Sequence, residues 1–152
     1  MKIAVLISGR GTNLQTLIDA HSRGSLSAEI ALVISNVPNA KGLERAVKAG
    51  IPVKTISHID FVDRNAFEGA LHVALLEAHI DFVCLAGFMR LLTNSFVKKW
   101  ADRVINIHPS LLPSFKGLNT HKRALDAGVR FTGCTVHFVR PEMDHGPVIL
   151  QA

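Results

Sequence analysis

Asn106 and His108 are the residues of this chain best placed to do chemistry. They fall at the end of a strand-like run, Arg103 to Ile107, with alternating apolar positions, and Pro109-Ser110-Leu111-Leu112-Pro113 follows. Residues two apart on a strand project to the same face. The amide and the imidazole would therefore stand side by side where the strand runs out into a proline-restricted loop. An amide donor beside an imidazole suits a carbonyl oxygen that gains negative charge during reaction. Taken alone, the stretch reads equally well as a turn with ordinary strand-end residues, and the other motifs tilt the balance.

The elements that would position this pair alternate between strand and helix. Lys2 to Ser8 reads as a buried strand, then come Gly9-Arg10-Gly11-Thr12-Asn13, then Leu14, Leu17 and Ile18 at helical spacing, with Gly24 as a stop. Strand, glycine turn and helix open a nucleotide-binding unit, because free N–H groups at a helix start and the helix dipole suit a phosphate. The dinucleotide fingerprint wants a third glycine where Leu14 stands. The loop is therefore read as holding one phosphate rather than a pyrophosphate; a tight turn without ligand is the competing reading.

Glu29 to Ser35 is a second strand, and Lys41 to Lys48 a short helix with Leu43, Ala46 and Val47 inward and Gly50 at its end. Pro52 to Ile56 is a third strand. Phe61 to His79 is a long helix with Phe67, Leu71, Ala74, Leu75 and Ala78 on one face and Arg64 on its polar side. On its own spacing Arg64 is a solvated helix arginine. Asp81 to Ala86 is apolar throughout, as a central parallel strand would be. It leads to Gly87-Phe88-Met89-Arg90-Leu91-Leu92, where a glycine, apolar residues and one arginine could clasp a flat ring bearing an acid. Thr93 is expected to cap a helix from Asn94 to Asp102, and Thr120 one running to Ala127. Either Pro109 or Pro113 could follow a cis peptide bond. Thr132 to Val139 alternates, with Cys134, Val136 and Phe138 on one face and Thr135, His137 and Val139 on the other. His137 is expected to be a surface histidine or a group that supports the site from behind. A polar loop, Arg140 to Gly146, and a last strand, Pro147 to Gln151, complete the order.

Such β/α alternation argues a right-handed, doubly wound, mostly parallel sheet in one domain spanning residues 1–152. Ligands of open α/β sheets sit at the carboxyl ends of the strands, which places Gly11, Gly87 and Asn106 around one cleft. Composition bounds the function classes. Apolar residues make up 48%, and the net charge of +5 comes from 17 basic and 12 acidic residues that are dispersed along the chain. That balance suits anionic small molecules and is a weak nucleic-acid signal. No apolar run reaches the roughly 18 residues of a membrane span. Cys84 and Cys134 sit in apolar runs and read as buried free thiols, which fits a reducing cytoplasm. A metal site from Cys134, His137 and His145 is disfavoured, since Cys134 and His137 point to opposite faces of a strand.

These motifs converge on a family. Ser8-Gly9-Arg10-Gly11-Thr12-Asn13-Leu14-Gln15, Leu85-Ala86-Gly87-Phe88-Met89-Arg90, Asn106-Ile107-His108-Pro109-Ser110-Leu111-Leu112-Pro113, Gly133 to Val139, Met143-Asp144 and Gly146 to Gln151 run nearly end to end. Through them the chain closely resembles the phosphoribosylglycinamide formyltransferases, the folate-dependent glycinamide ribonucleotide transformylases of purine biosynthesis. The Asn-x-His part is shared with other formyl-folate enzymes. The resemblance implies a Rossmann-like formyltransferase fold and transfer of a formyl group from 10-formyltetrahydrofolate to the glycine amine of 5-phosphoribosylglycinamide. It implies Asn106, His108 and Asp144 as the catalytic set, with Thr135 and His137 behind them. The phosphoribosyl substrate would lie on Gly11, Thr12, Asn13, Leu14, Gln15 and Gly87. Arg64, Met89, Arg90, Leu91, Leu92, Asn106, Arg140, Pro141, Glu142 and Met143 would enclose the folate, with Arg64 and Arg90 available to its carboxylates. No metal, nucleic acid or membrane is expected, and the protein is expected to be a cytoplasmic monomer or homodimer. Members of the family continue past the Gly146–Gln151 strand, so a final strand and helix are expected to be missing from the chain as given. His145 stands where a small residue is common in the family.

Three other readings compete. A formyltetrahydrofolate hydrolase shares the Asn, His and Asp but passes the formyl group to water; it usually carries a regulatory domain ahead of the catalytic one, and it has no need of a phosphate loop. A formyltransferase acting on initiator methionyl-tRNA wants a basic surface and an RNA-binding domain. A non-catalytic nucleotide-binding module or inactive fragment would need no Asn106–His108–Asp144 set.

Overall fold

The computed structural model describes residues 1–152. Its centre is β1 (Lys2–Ile7), whose period-two side chains feed two separate cores. Ile3, Val5 and Ile7 face one side with Leu14, Ile18 and Ala46. Ala4 and Leu6 face the other with Phe67, Leu71, Leu75, Phe96 and Trp100. A strand buried on both faces is what a central parallel position demands.

The remaining elements are α1 (Thr12–Ser22), β2 (Glu29–Ser35), α2 (Lys41–Lys48), β3 (Val53–Thr55), a 3-10 turn (His58–Asp60), α3 (Arg64–Glu77), β4 (Phe82–Leu85), α4 (Asn94–Lys99), β5 (Val104–His108), α5 (Thr120–Asp126), β6 (Thr135–Phe138) and β7 (Val148–Gln151). The seven strands lie in the order β3-β2-β1-β4-β5-β6-β7. β1 to β5 pair in parallel, and β6 and β7 are antiparallel additions at the β5 edge. The core clusters place α1 and α2 on one face and α3 and α4 on the other, the doubly wound, mostly parallel α/β arrangement expected from the sequence. No helix is long and apolar enough to cross a membrane.

Several local expectations shift. α3 begins at Arg64 rather than Phe61, because the Asp63 side chain accepts from the Ala66 N–H and fixes the start there. Thr93 caps α4 as expected, accepting from Phe96 N–H. Thr120 is not a cap; it is the first residue of α5 and buried, and Asn119 takes the cap position in a left-handed conformation. Val47 is 60% exposed, and Gly42, on the opposite side of α2, is buried in its place. The reason lies in the loop after β1. A Cβ at Gly11 would come within 2.6 Å of the Gly42 Cα, and one at Gly42 would run into Ile7. Glycine on both sides of this crossing lets α2 press directly on the β1–α1 turn.

Candidate active site

β5 carries Asn106 and His108 to the carboxyl rim of the sheet, and antiparallel β6 sets His137 opposite Asn106 and Thr135 opposite His108. Thr135 and His137 are both buried, whereas Val136 and Phe138 are only half-buried. The sequence alternation on β6 is present, but its polar face is the inner one, so His137 is not a surface histidine. Thr135 holds the loop that follows His108. Its hydroxyl donates to the Ser110 carbonyl oxygen at 2.7 Å and accepts from Leu112 N–H at 3.0 Å. Gln151 of β7 donates to both Thr135 Oγ1 and the Leu112 carbonyl. The Leu112–Pro113 peptide bond in this loop is cis.

Hydrogen bonding fixes the proton positions. Asn106 Nδ2 lies 3.3 Å from His137 Nε2. An amide nitrogen can only donate, so Nε2 accepts, and the His137 proton sits on Nδ1, 3.0 Å from the Phe138 carbonyl oxygen. His137 is neutral in this tautomer, and its 3.9 Å approach to Asp144 Oδ1 is not an ion pair. His108 is different. Its Nδ1 faces Asp144 Oδ2 at 3.4 Å and its Nε2 faces the Phe115 carbonyl oxygen at 3.0 Å. Both neighbours are acceptors, so a ring with protons on both nitrogens satisfies both.

Asp144 reaches this position from the loop between β6 and β7. It sits in a left-handed conformation at φ 51 and accepts from Gly117 N–H at 2.8 Å. Gly146 makes the close return possible, since any Cβ there would overlap the Phe138 carbonyl. The carboxylate thus stands between the two histidines, a contact that no local spacing in the sequence encodes. The Phe115 carbonyl and the Gly117 N–H, from the loop before α5, complete the set, and nothing in the sequence points to them. Backbone groups carry no residue-type signal, which is why reading side chains misses them.

A cavity of about 270 Å³ opens on one side of Asn106. Met89, Arg90, Leu91 and Leu92 line it from the loop after β4, Arg140, Pro141, Glu142 and Met143 from the loop after β6, and Gly117 and Leu118 from the loop before α5. The wall is largely apolar, with Arg90 and Arg140 as its cations, which fits a flat ring system bearing acid groups. Arg140 is committed elsewhere, donating to Asp102 Oδ1 at 2.6 Å. Arg64 lies outside this wall, exposed in the first turn of α3. A second cavity of about 190 Å³ is lined by Asn13, Thr16, Leu17, Cys84, Ile105, Val136 and again Asn106. Asn106 therefore borders both spaces.

The glycine loop is spread over different surroundings. Gly11 is buried against α2, Thr12 and Asn13 are exposed, and Leu14 is fully buried in the core. The Gln15 side chain donates to Asp19 and accepts from Arg45. Only Asn13 of this loop reaches the cavity that Asn106 borders. Gly87, at φ 77 with open space where a Cβ would stand, leaves the sheet beside it. Burial pushes the Cys84 thiol up to about 11. No group of three or more His, Cys, Asp or Glu side chains is arranged to hold a metal ion.

Known proteins resemble the chain along its whole length. The formyl transferase family matches residues 1–152. The chain is 53% identical over 151 residues to the trifunctional purine biosynthetic protein adenosine-3 of Gallus gallus, covering 99% of this chain and 15% of that protein. It is 48% identical over 152 residues to the phosphoribosylglycinamide formyltransferase of Escherichia coli, covering all of this chain and 72% of that one. Among solved structures, glycinamide ribonucleotide transformylase 1 from Symbiobacterium toebii superposes with a TM-score of 0.97 at 46% identity, over all of this chain and 72% of its own. The chain thus spans 11–15% of the length of the trifunctional relatives and 71–72% of the curated single-function ones.

Proposed function

The chain belongs to the formyl transferase family, and from that premise we propose that it transfers the formyl group of 10-formyltetrahydrofolate to the glycine amine of 5-phosphoribosylglycinamide, a step of purine (IMP) biosynthesis. The observation that carries the reading is the position of Asn106. It borders two cavities, and the first is also lined by Asp144, which faces His108 Nδ1 at 3.4 Å. A two-substrate transfer needs its donors where the two bound molecules meet.

In this mechanism the folate ring occupies the apolar cavity and the amine approaches from the side of Asn13 and Gly87. Attack of the amine on the formyl carbon puts negative charge on the formyl oxygen. Asn106 Nδ2 has one N–H turned to His137 and a second free to donate to that oxygen. His108 supplies a charge-assisted donor. Both its nitrogens are engaged, so it must release one contact to reach the oxygen. The Phe115 carbonyl is the weaker acceptor of the two and lies on a loop, which makes Nε2 the nitrogen to be freed. Asp144 keeps the imidazolium in place and can hold a water that carries the amine proton to N10 of the departing folate. The tetrahedral centre then collapses, the C–N10 bond breaks and the amide is left on the acceptor.

The co-substrate is the formyl folate, with Arg90 available to its acid groups, and no metal takes part. The substrates are small molecules rather than nucleic acid or lipid, the location is the cytoplasm, and the protein works as a monomer or homodimer. The deciding assay follows the absorbance of released tetrahydrofolate, with phosphoribosylglycinamide present and then omitted. Turnover that needs the acceptor supports the transferase. Release in its absence would assign the chemistry to hydrolysis instead.

A further inference from the structure

The apolar wall Met89–Leu92 belongs to no helix or strand, yet both its ends are tied by polar side chains that lie outside the cavity. At the start, the Ser8 hydroxyl accepts from Met89 N–H at 2.7 Å. That hydroxyl donates to Asn36 Oδ1, and Asn36, itself buried, reaches His58 Nδ1 at 3.1 Å. At the far end, Glu68 accepts from Thr93 N–H at 2.8 Å with one carboxyl oxygen and from the Thr93 hydroxyl with the other. Glu68 is only 4% exposed and takes part in no ion pair. Burying a carboxylate without a cation is costly, and here hydrogen bonds to a single residue offset the cost.

We propose that Glu68 and Ser8 are positioning residues for the formyl donor, holding the Met89–Leu92 wall from behind and so setting how well the flat ring binds. This rests on the reading of that cavity as the folate site. Neither residue lines the cavity. Their effect therefore reaches the ring through the backbone of Met89 and Thr93 and leaves Asn106, His108 and Asp144 in place.

The test is steady-state kinetics of Ser8→Ala, Glu68→Leu, Thr93→Val and Thr93→Ser. Losing one or two such hydrogen bonds should raise KM for 10-formyltetrahydrofolate about tenfold in the first three variants. Turnover at saturation and KM for phosphoribosylglycinamide should stay within about twofold, since the reacting groups are untouched. Thr93→Ser keeps both bonds to Glu68 and should behave as the unmutated protein. An unchanged KM for the folate, or an equal loss in both substrates' KM, overturns the proposal. Absence of turnover in the unmutated protein would sink the functional reading instead. Amide exchange at Met89 and Thr93 then decides the clamp by itself: faster exchange there in the variants supports it, and unchanged protection removes it.

Discussion

Asn106 and His137 face each other across the antiparallel β5–β6 pair, with the amide nitrogen 3.3 Å from the imidazole Nε2. The contact settles which way the Asn106 amide points, and it leaves one N–H free to donate. Orientation of the donor is thus built into the sheet register.

Replacing Asn106 by Ala removes that donor without disturbing the strand. Turnover should fall on the order of 100- to 1000-fold, the usual loss of an oxyanion donor. A loss below tenfold, with the circular dichroism spectrum unchanged, would take Asn106 out of that role.

His137→Phe keeps the ring volume but leaves the Asn106 amide free to rotate. Turnover should drop by about tenfold, while the half-buried amide can turn to water, so stability in chemical denaturation should fall by no more than about 1 kcal/mol. Stability lost with full turnover retained would make His137 purely structural.

Asp144→Asn preserves an acceptor for Gly117 N–H but deletes the charge beside His108. The loop should stay folded while turnover falls roughly 100-fold, as for loss of a general acid–base partner. A near-normal rate in the assay with both substrates would show that the charge is dispensable.

Gly42→Ala introduces a methyl group against Ile7 and the backbone of Gly9 and Gly11. Overpacking of this kind costs about 1–3 kcal/mol. The thermal midpoint should fall, and amide exchange at Gly9–Thr12 should quicken. An unaltered midpoint would show that α2 can move away from the turn.

With burial pushing its thiol up to about 11, against 9.0 for a free group, Cys84 is protonated in the folded chain where the unfolded chain has ionised. Between about pH 9 and pH 11 the unfolded state binds fewer protons, so stability falls as pH rises through that window. The unmutated protein should lose more stability there than Cys84→Ala, measured by denaturant titration. Alkylation of Cys84 at pH 8 should run roughly 100-fold slower than for a free thiol, because the reactive thiolate is that much scarcer. Equal slopes and fast labelling would contradict the burial.

The strand–helix alternation was legible because each strand carries its own apolar pattern. β2 and α2 fall on the expected residues, Glu29–Ser35 and Lys41–Lys48. Helix starts were less so: Asn119 competes with the adjacent Thr120 for the cap position, and at α3 the apolar Phe61 and Val62 extend the helical pattern ahead of the true cap, Asp63. Within the site, the pairing of Asn106 with His108 follows from period two alone. The approach of Asp144 does not. It depends on the β5–β6 register, on a left-handed turn, and on Gly146 fitting under Phe138. Glu68 was invisible because nothing distinguishes a buried helix carboxylate from a solvated one until the Thr93 end of the next segment is placed.

The parallel strands β1 to β5 are all made from residues up to His108, whereas the two antiparallel strands come afterwards. During synthesis a chain emerges from its N-terminus and domains gain structure as they emerge. Asn106 and His108 will therefore leave the ribosome, and can enter a sheet, while His137 and Asp144 are still to be added. A nascent chain halted before Thr135 would show a partly built rim to solvent, with its amide unoriented and its imidazole without a carboxylate. The groups that orient the amide and face the imidazole thus arrive last and in turn, His137 with β6 and Asp144 with the loop after it.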